Sequence, residues 1–149
     1  MSKYITPTLT VAANKHDASS MGGPTTSPIN IAVTDDLDVT EITHKVLDVT
    51  TSNAVLINNA DYAVAITAGT EGAFVFLKNL TTTADIYIGH GADAALEDGG
   101  GGEATRLMTL KPKEFAWFPY DLENDLIYDA DSAVAGGLEA IIFVRTGTA

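Results

Sequence analysis

The stretch AFVFLKNLTTTADIYIGHGADAALEDGGGGEATRLMTLKPKEFAWFPY, residues 73–120, decides how this chain is read. It carries four candidate strands, the single tryptophan and four of the five phenylalanines. Ala73 to Leu77 is apolar in both alternations, with Phe74 and Phe76 on one face and Ala73, Val75 and Leu77 on the other. A short unbroken apolar run of this kind, ended by Lys78-Asn79, predicts a strand covered on both sides. Ala84 to Gly89 alternates Ile86 and Ile88 with Asp85 and Tyr87, the pattern of a half-exposed strand. Leu80-Thr81-Thr82-Thr83 is a short connection, so the two strands are expected to pair as an antiparallel hairpin. Arg106 to Leu110 and Glu114 to Phe118 flank Lys111-Pro112-Lys113, where proline presets the backbone for the first corner of a tight turn. A second hairpin is expected there. Phe115 and Trp117 share one face of its return strand, and Phe118 and Tyr120 the other.

Outward from this centre the chain keeps the same texture. Tyr4 to Ala13 reads as a strand that Pro7 confines to an edge. Asn14 to Pro28 is polar, with a Gly pair and two prolines, and reads either as a loose terminus or as an arm that orders on a neighbouring subunit. Ile29 to Val33 is a short strand. Val39 to Thr50 fits both a helical face and one side of a strand, and its Val, Thr and Ile content favours strand. Ala54 to Ile57 and Tyr62 to Thr67 are expected to pair around Asn58-Asn59-Ala60-Asp61. Leu126 to Ala130 is a short strand, and Leu138 to Thr146, apolar on both faces, a central one. The expectation is an all-β protein. It is a β-sandwich or jelly roll of about 8–10 mainly antiparallel strands, with an extended N-terminal arm over residues 1–28 and one domain over 29–149.

Composition bounds what such a body does. Of 149 residues, 46% are hydrophobic and only 19% charged, and 8 basic residues against 20 acidic ones leave a net charge of −12. A surface this negative is repelled by phosphates, so neither nucleic acid nor an anionic membrane is an expected partner. There is no cysteine, which excludes disulfides, thiol nucleophiles and thiolate metal sites. The first residues lack the basic and apolar regions of a signal peptide, and no apolar run approaches the length of a membrane span. A soluble chain made without export is expected.

The candidate sites are few. Asp121, Glu123, Asp125, Asp129 and Asp131 place oxygen ligands on alternate positions, as calcium prefers. Leu126 and Ser132 stand where a calcium loop needs glycine and a bidentate glutamate, so an irregular calcium site competes with a solvated acidic edge. His16, His44 and His90 show no metal spacing. Ser2, Ser19, Ser20, Ser27, Ser52 and Ser132 sit in no nucleophile elbow. Gly99 to Gly102 lacks the Lys-Ser/Thr of a phosphate loop and is flanked by Glu97, Asp98 and Glu103. Trp117, Phe118 and Tyr120 read as sandwich core or, alternatively, as a platform for sugars. Asn79-Leu80-Thr81 matches a glycosylation sequon, without a secretion signal to give it meaning. No catalytic residue, cofactor or dedicated metal is expected.

Three features, taken in order, resemble small virion structural proteins of tailed bacteriophages, in particular those that decorate or cement the capsid. They are a Thr/Ser-rich N-terminal segment leading to the strand at residues 48–56, the element Phe74 to Thr81 followed by Ile86-Tyr87-Ile88-Gly89, and Leu110 to Phe118 with an Ile-Tyr-Asp-Ala segment and an apolar last strand behind it. The resemblance implies no catalytic residues. It implies a homo-oligomer, a trimer for instance, that binds the major capsid protein on the surface of the virion after synthesis in the host cytoplasm. That family often has glycine at the position of Lys113, so a type I turn is expected here. The rival expectation is a carbohydrate-binding or receptor-recognition module of a phage tail or fibre, using Trp117 or Tyr120.

Overall fold

The computed structural model describes residues 3–6, 8–12, 30–34, 37–62, 72–90 and 106–145. Contacts divide the chain into two units, Met1–Asp38 and Val39–Ala149. In the first, β1 (Lys3–Ile5) and β2 (Thr8–Ala12) are separated at Thr6-Pro7. β2 pairs antiparallel with β3 (Asn30–Thr34), Leu9 opposite Val33. β3 therefore belongs with the N-terminal unit. Asn14 to Pro28, with His16, Ser19, Ser20 and Ser27, lies outside the described residues, as do Ser2 and the glycine run.

The second unit is built from eight strands: β4 (Leu37–Val49), β5 (Ala54–Ile57), β6 (Ala73–Asn79), β7 (Ile86–His90), β8 (Arg106–Leu110), β9 (Phe115–Tyr120), β10 (Leu126–Ala130) and β11 (Val134–Arg145). They form two antiparallel sheets, in the orders β4-β11-β6-β9 and β5-β10-β7-β8. First strand lies beside last, second beside seventh, third beside sixth and fourth beside fifth. Two sheets wound in this order are a jelly roll. Residues 39–49 are strand, as their β-branched content indicates, and β11 is central, between β4 and β6.

The inner faces meet in one core. Ala73, Val75 and Leu77 of β6 and Leu138, Ala140, Ile142 and Val144 of β11 pack with Ile86, Ile88, Leu110, Leu126 and Tyr128 of the other sheet. Gly137 opens a bulge in β11, and a Cβ there would lie 2.7 Å from Val49 Cγ2.

Two pairings differ from expectation. β6 and β7 lie in different sheets, and so do β8 and β9. Both expected hairpins are crossovers from one sheet to the other, and they run side by side. The cause is Asn79, fully buried at the end of β6. Its Nδ2 donates to the carbonyls of Ala84 and Leu110, both at 2.8 Å, and its Oδ1 accepts from the Thr81 N–H at 2.8 Å. Its backbone N–H donates to the Glu114 carbonyl, and its carbonyl accepts from the Lys113 N–H. One side chain and one peptide unit thus tie the two corners together. Such burial also puts the sequon asparagine out of reach of a glycan. Lys113 has φ 71°, and Glu114 N–H donates to the Lys111 carbonyl at 3.0 Å. The turn is type II, not type I, with lysine in the left-handed position that glycine usually fills. β5 pairs with β10, and most of the partner expected for it, Tyr62 to Thr67, lies outside the described residues. Tyr62 ends a 3-10 turn at Asn59–Tyr62, and residues 63–71 lie outside the described residues.

Candidate functional site: an aromatic sheet face

The outer faces of the two sheets differ. On β7 and β10 the outward side chains are covered: Tyr87 is 7% exposed and Ile127 2%, and the Arg106 guanidinium lies 4.2 Å over the Tyr87 ring. β7 is therefore a buried strand, not the half-exposed one expected. On the β4-β11-β6-β9 sheet the outward side chains are apolar and open.

Each strand contributes by simple alternation. Val46 on β4 is 57% exposed, and Phe115 and Trp117 on β9 are 59% and 36% exposed. Between them β6 presents Phe74 and Phe76, and β11 presents Ile141 and Phe143, all half-buried. Register sets Phe76 beside Trp117 on one side and Ile141 on the other, and Phe74 beside Phe143. The rings then pack on each other. Phe74 stacks on Trp117 with centroids 5.6 Å apart and planes 12° off parallel. Trp117 meets Phe143 at 5.3 Å, and Phe76 stacks on Phe115 at 6.1 Å. β6 is thus covered on its outer side by neighbouring rings on the same sheet.

Charges are sparse on this face. His44 Nε2 and Glu139 Oε1 lie 3.0 Å apart. The Arg145 guanidinium sits 4.9 Å over the Phe74 ring, and its Nε is buried without a hydrogen-bond partner among the described residues.

The sequence-expected sites fall elsewhere. Phe118 and Tyr120 pack against the core, as the core reading holds, whereas Trp117 is on the surface. Tyr120 Oη donates to the Asn124 carbonyl at 2.8 Å. Burial first, then the charges of Asp121 and Asp125, push its hydroxyl up to about 12. A groove of about 480 Å³ beside it is lined by His90, Tyr120, Asp121 and Arg145 among others.

The acidic residues do not converge. Asp125 and Asp131 flank β10, about 20 Å apart along the strand. Asp121 Oδ1 accepts from the Glu123 N–H, Asp125 Oδ1 from the Asn59 N–H, and Asp131 Oδ1 from the Asp85 N–H. Asp129 is fully buried on β10. No three potential metal ligands cluster among the described residues. His44 and His90 lie on different sheets. Ser52 and Ser132 sit in turns, the latter donating to Asp131 Oδ1.

Sequence reading missed the open face, although its signal was present. Phe74 and Phe76, and Phe115 and Trp117, fall in phase on one side of their strands, but a strand apolar on both faces reads as buried on both. The arrangement defines an eight-stranded jelly roll with one aromatic sheet face left open. Comparisons with protein-family models, curated proteins and solved structures find no match.

Proposed function

We propose that this chain is a bacteriophage virion structural protein, a capsid decoration or cement protein that works as an oligomer and stabilises the head shell by binding the major capsid protein. The observation that carries this reading is the open aromatic face. Contiguous exposed apolar surface marks a protein contact, and on this chain it belongs to a rigid sheet instead of a mobile loop. The resemblance read from the sequence supports it, as does the jelly-roll winding, an architecture used in viral shells and in lectins. Function is argued from the face, because fold alone does not assign one.

The test is co-sedimentation with shells assembled without the protein. Bound protein in the pellet, with shells that resist heat or dilution better, is the expected result; protein left in the supernatant at every ratio rejects the reading.

The surface position of Trp117 favours a second reading, a carbohydrate- or receptor-recognition module of a tail or fibre. A sugar platform presents an open ring face, and here Phe74 stacks on the indole while Phe143 tilts against it. That geometry suits packing against protein better than stacking on a sugar. Binding on a glycan array that is lost in Trp117→Ala decides for the second reading.

A further inference from the structure

The open face is where the molecule meets a neighbour on the reading above, and this step rests on it. We infer that its occupant is the same face of a second copy, sheet against sheet.

Charge selects that occupant. With histidine neutral, Lys78 and Arg145 against Asp48 and Glu139 sum to zero on the face, while the chain as a whole carries −12. Two copies approaching through most other surfaces bring acidic side chains together. Through this face they bring rings and aliphatic side chains together, and its two acids already have partners, Glu139 in His44 and Asp48 in the Gly136 N–H.

Shape agrees. A two-fold contact sets one patch against itself, so the patch has to be self-compatible. A nearly uncharged four-stranded sheet is, because sheets pack face to face about 10 Å apart with interleaved side chains.

Size sets the strength. Four strands across and seven residues along give roughly 20 Å by 24 Å, so a pair buries about 1,000 Å². That is the low end for specific interfaces and corresponds to a reversible association.

Trp117 is the only tryptophan, so its emission reports on this face directly. Sedimentation and emission are followed from about 1 μM to about 500 μM protein. The expected result is a doubling of mass and a blue shift over the same concentrations. In Val46→Lys and in Phe115→Lys both midpoints move up at least about tenfold, because each places an unpaired charge inside an apolar contact. Both side chains point outward, and an unchanged circular dichroism spectrum verifies the fold.

Self-association that neither variant weakens places the contact elsewhere and overturns the inference. A wild-type monomer that binds shells with a blue shift of Trp117 also overturns it, since the face then takes the shell, and leaves the virion reading standing. A monomer that ignores shells defeats both.

Discussion

Asn79 shows how much one side chain can decide. It is buried in a core of aliphatic residues, a position that costs free energy unless every polar atom is matched. Here its amide is matched three times, by the carbonyls of Ala84 and Leu110 and the N–H of Thr81. Asn79→Ala strips those partners without replacing them and is expected to destabilise the fold by about 3 kcal/mol, read from the urea midpoint. Tyr120 makes a different prediction. Its hydroxyl is raised to about 12 in the folded protein from an ordinary value of 10.0. The group therefore contributes stability in full below pH 10 and loses it as pH rises towards 12, because the unfolded chain ionises first. The melting temperature should fall over that interval, and less steeply in Tyr120→Phe. Tyr128 contributes to the residual slope, since burial, then the charge of Asp48, raises its hydroxyl too. Leu122 carries φ 66° with its side chain fully buried. Core packing holds a conformation that leucine avoids.

At the scale of elements, the crossovers joining β6 to β7 and β8 to β9 carry the fold. Lys113 is strained at the second of them, and Lys113→Gly should raise stability by about 1 kcal/mol in thermal or urea unfolding. The Lys113 ammonium contact with the Leu80 carbonyl is lost in that variant, but it is exposed and worth little. These corners also mark the limit of what the sequence disclosed. Strands at residues 73–77, 106–110 and 126–130 were legible because alternation and β-branched runs are local signals. Which strand each one pairs with was not. A connection of a few residues is as compatible with a turn within a sheet as with a step between sheets. The deciding information is a buried asparagine whose partners lie five and 31 residues away. The aromatic face was legible in phase and misjudged in exposure, because a strand apolar on both sides looks the same under a second layer as it does awaiting a partner.

At the scale of the whole molecule, the charge of −12 opposes association, and the open face promotes it. The two respond oppositely to salt. Screening shortens the reach of surface repulsion from about 30 Å at 0.01 M to about 3 Å at 1 M and leaves apolar contact intact. Self-association through the face should therefore strengthen as sodium chloride is raised, whereas a contact built on opposite charges would weaken; sedimentation at the two extremes separates them. The strand order has a consequence of another kind. β4, β5, β6 and β7 each lie against a strand from the second half of the unit: β11, β10, β9 and β8. On a ribosome the first four emerge with none of these partners yet made. The pairing of β7 with β8 closes the shortest loop and comes first, and the others zip back from it until β11 arrives last to meet β4. Until then the nascent half displays Phe74, Phe76 and its unpaired edges to every other chain in translation, so synthesis speed and chaperone supply govern the yield of folded protein.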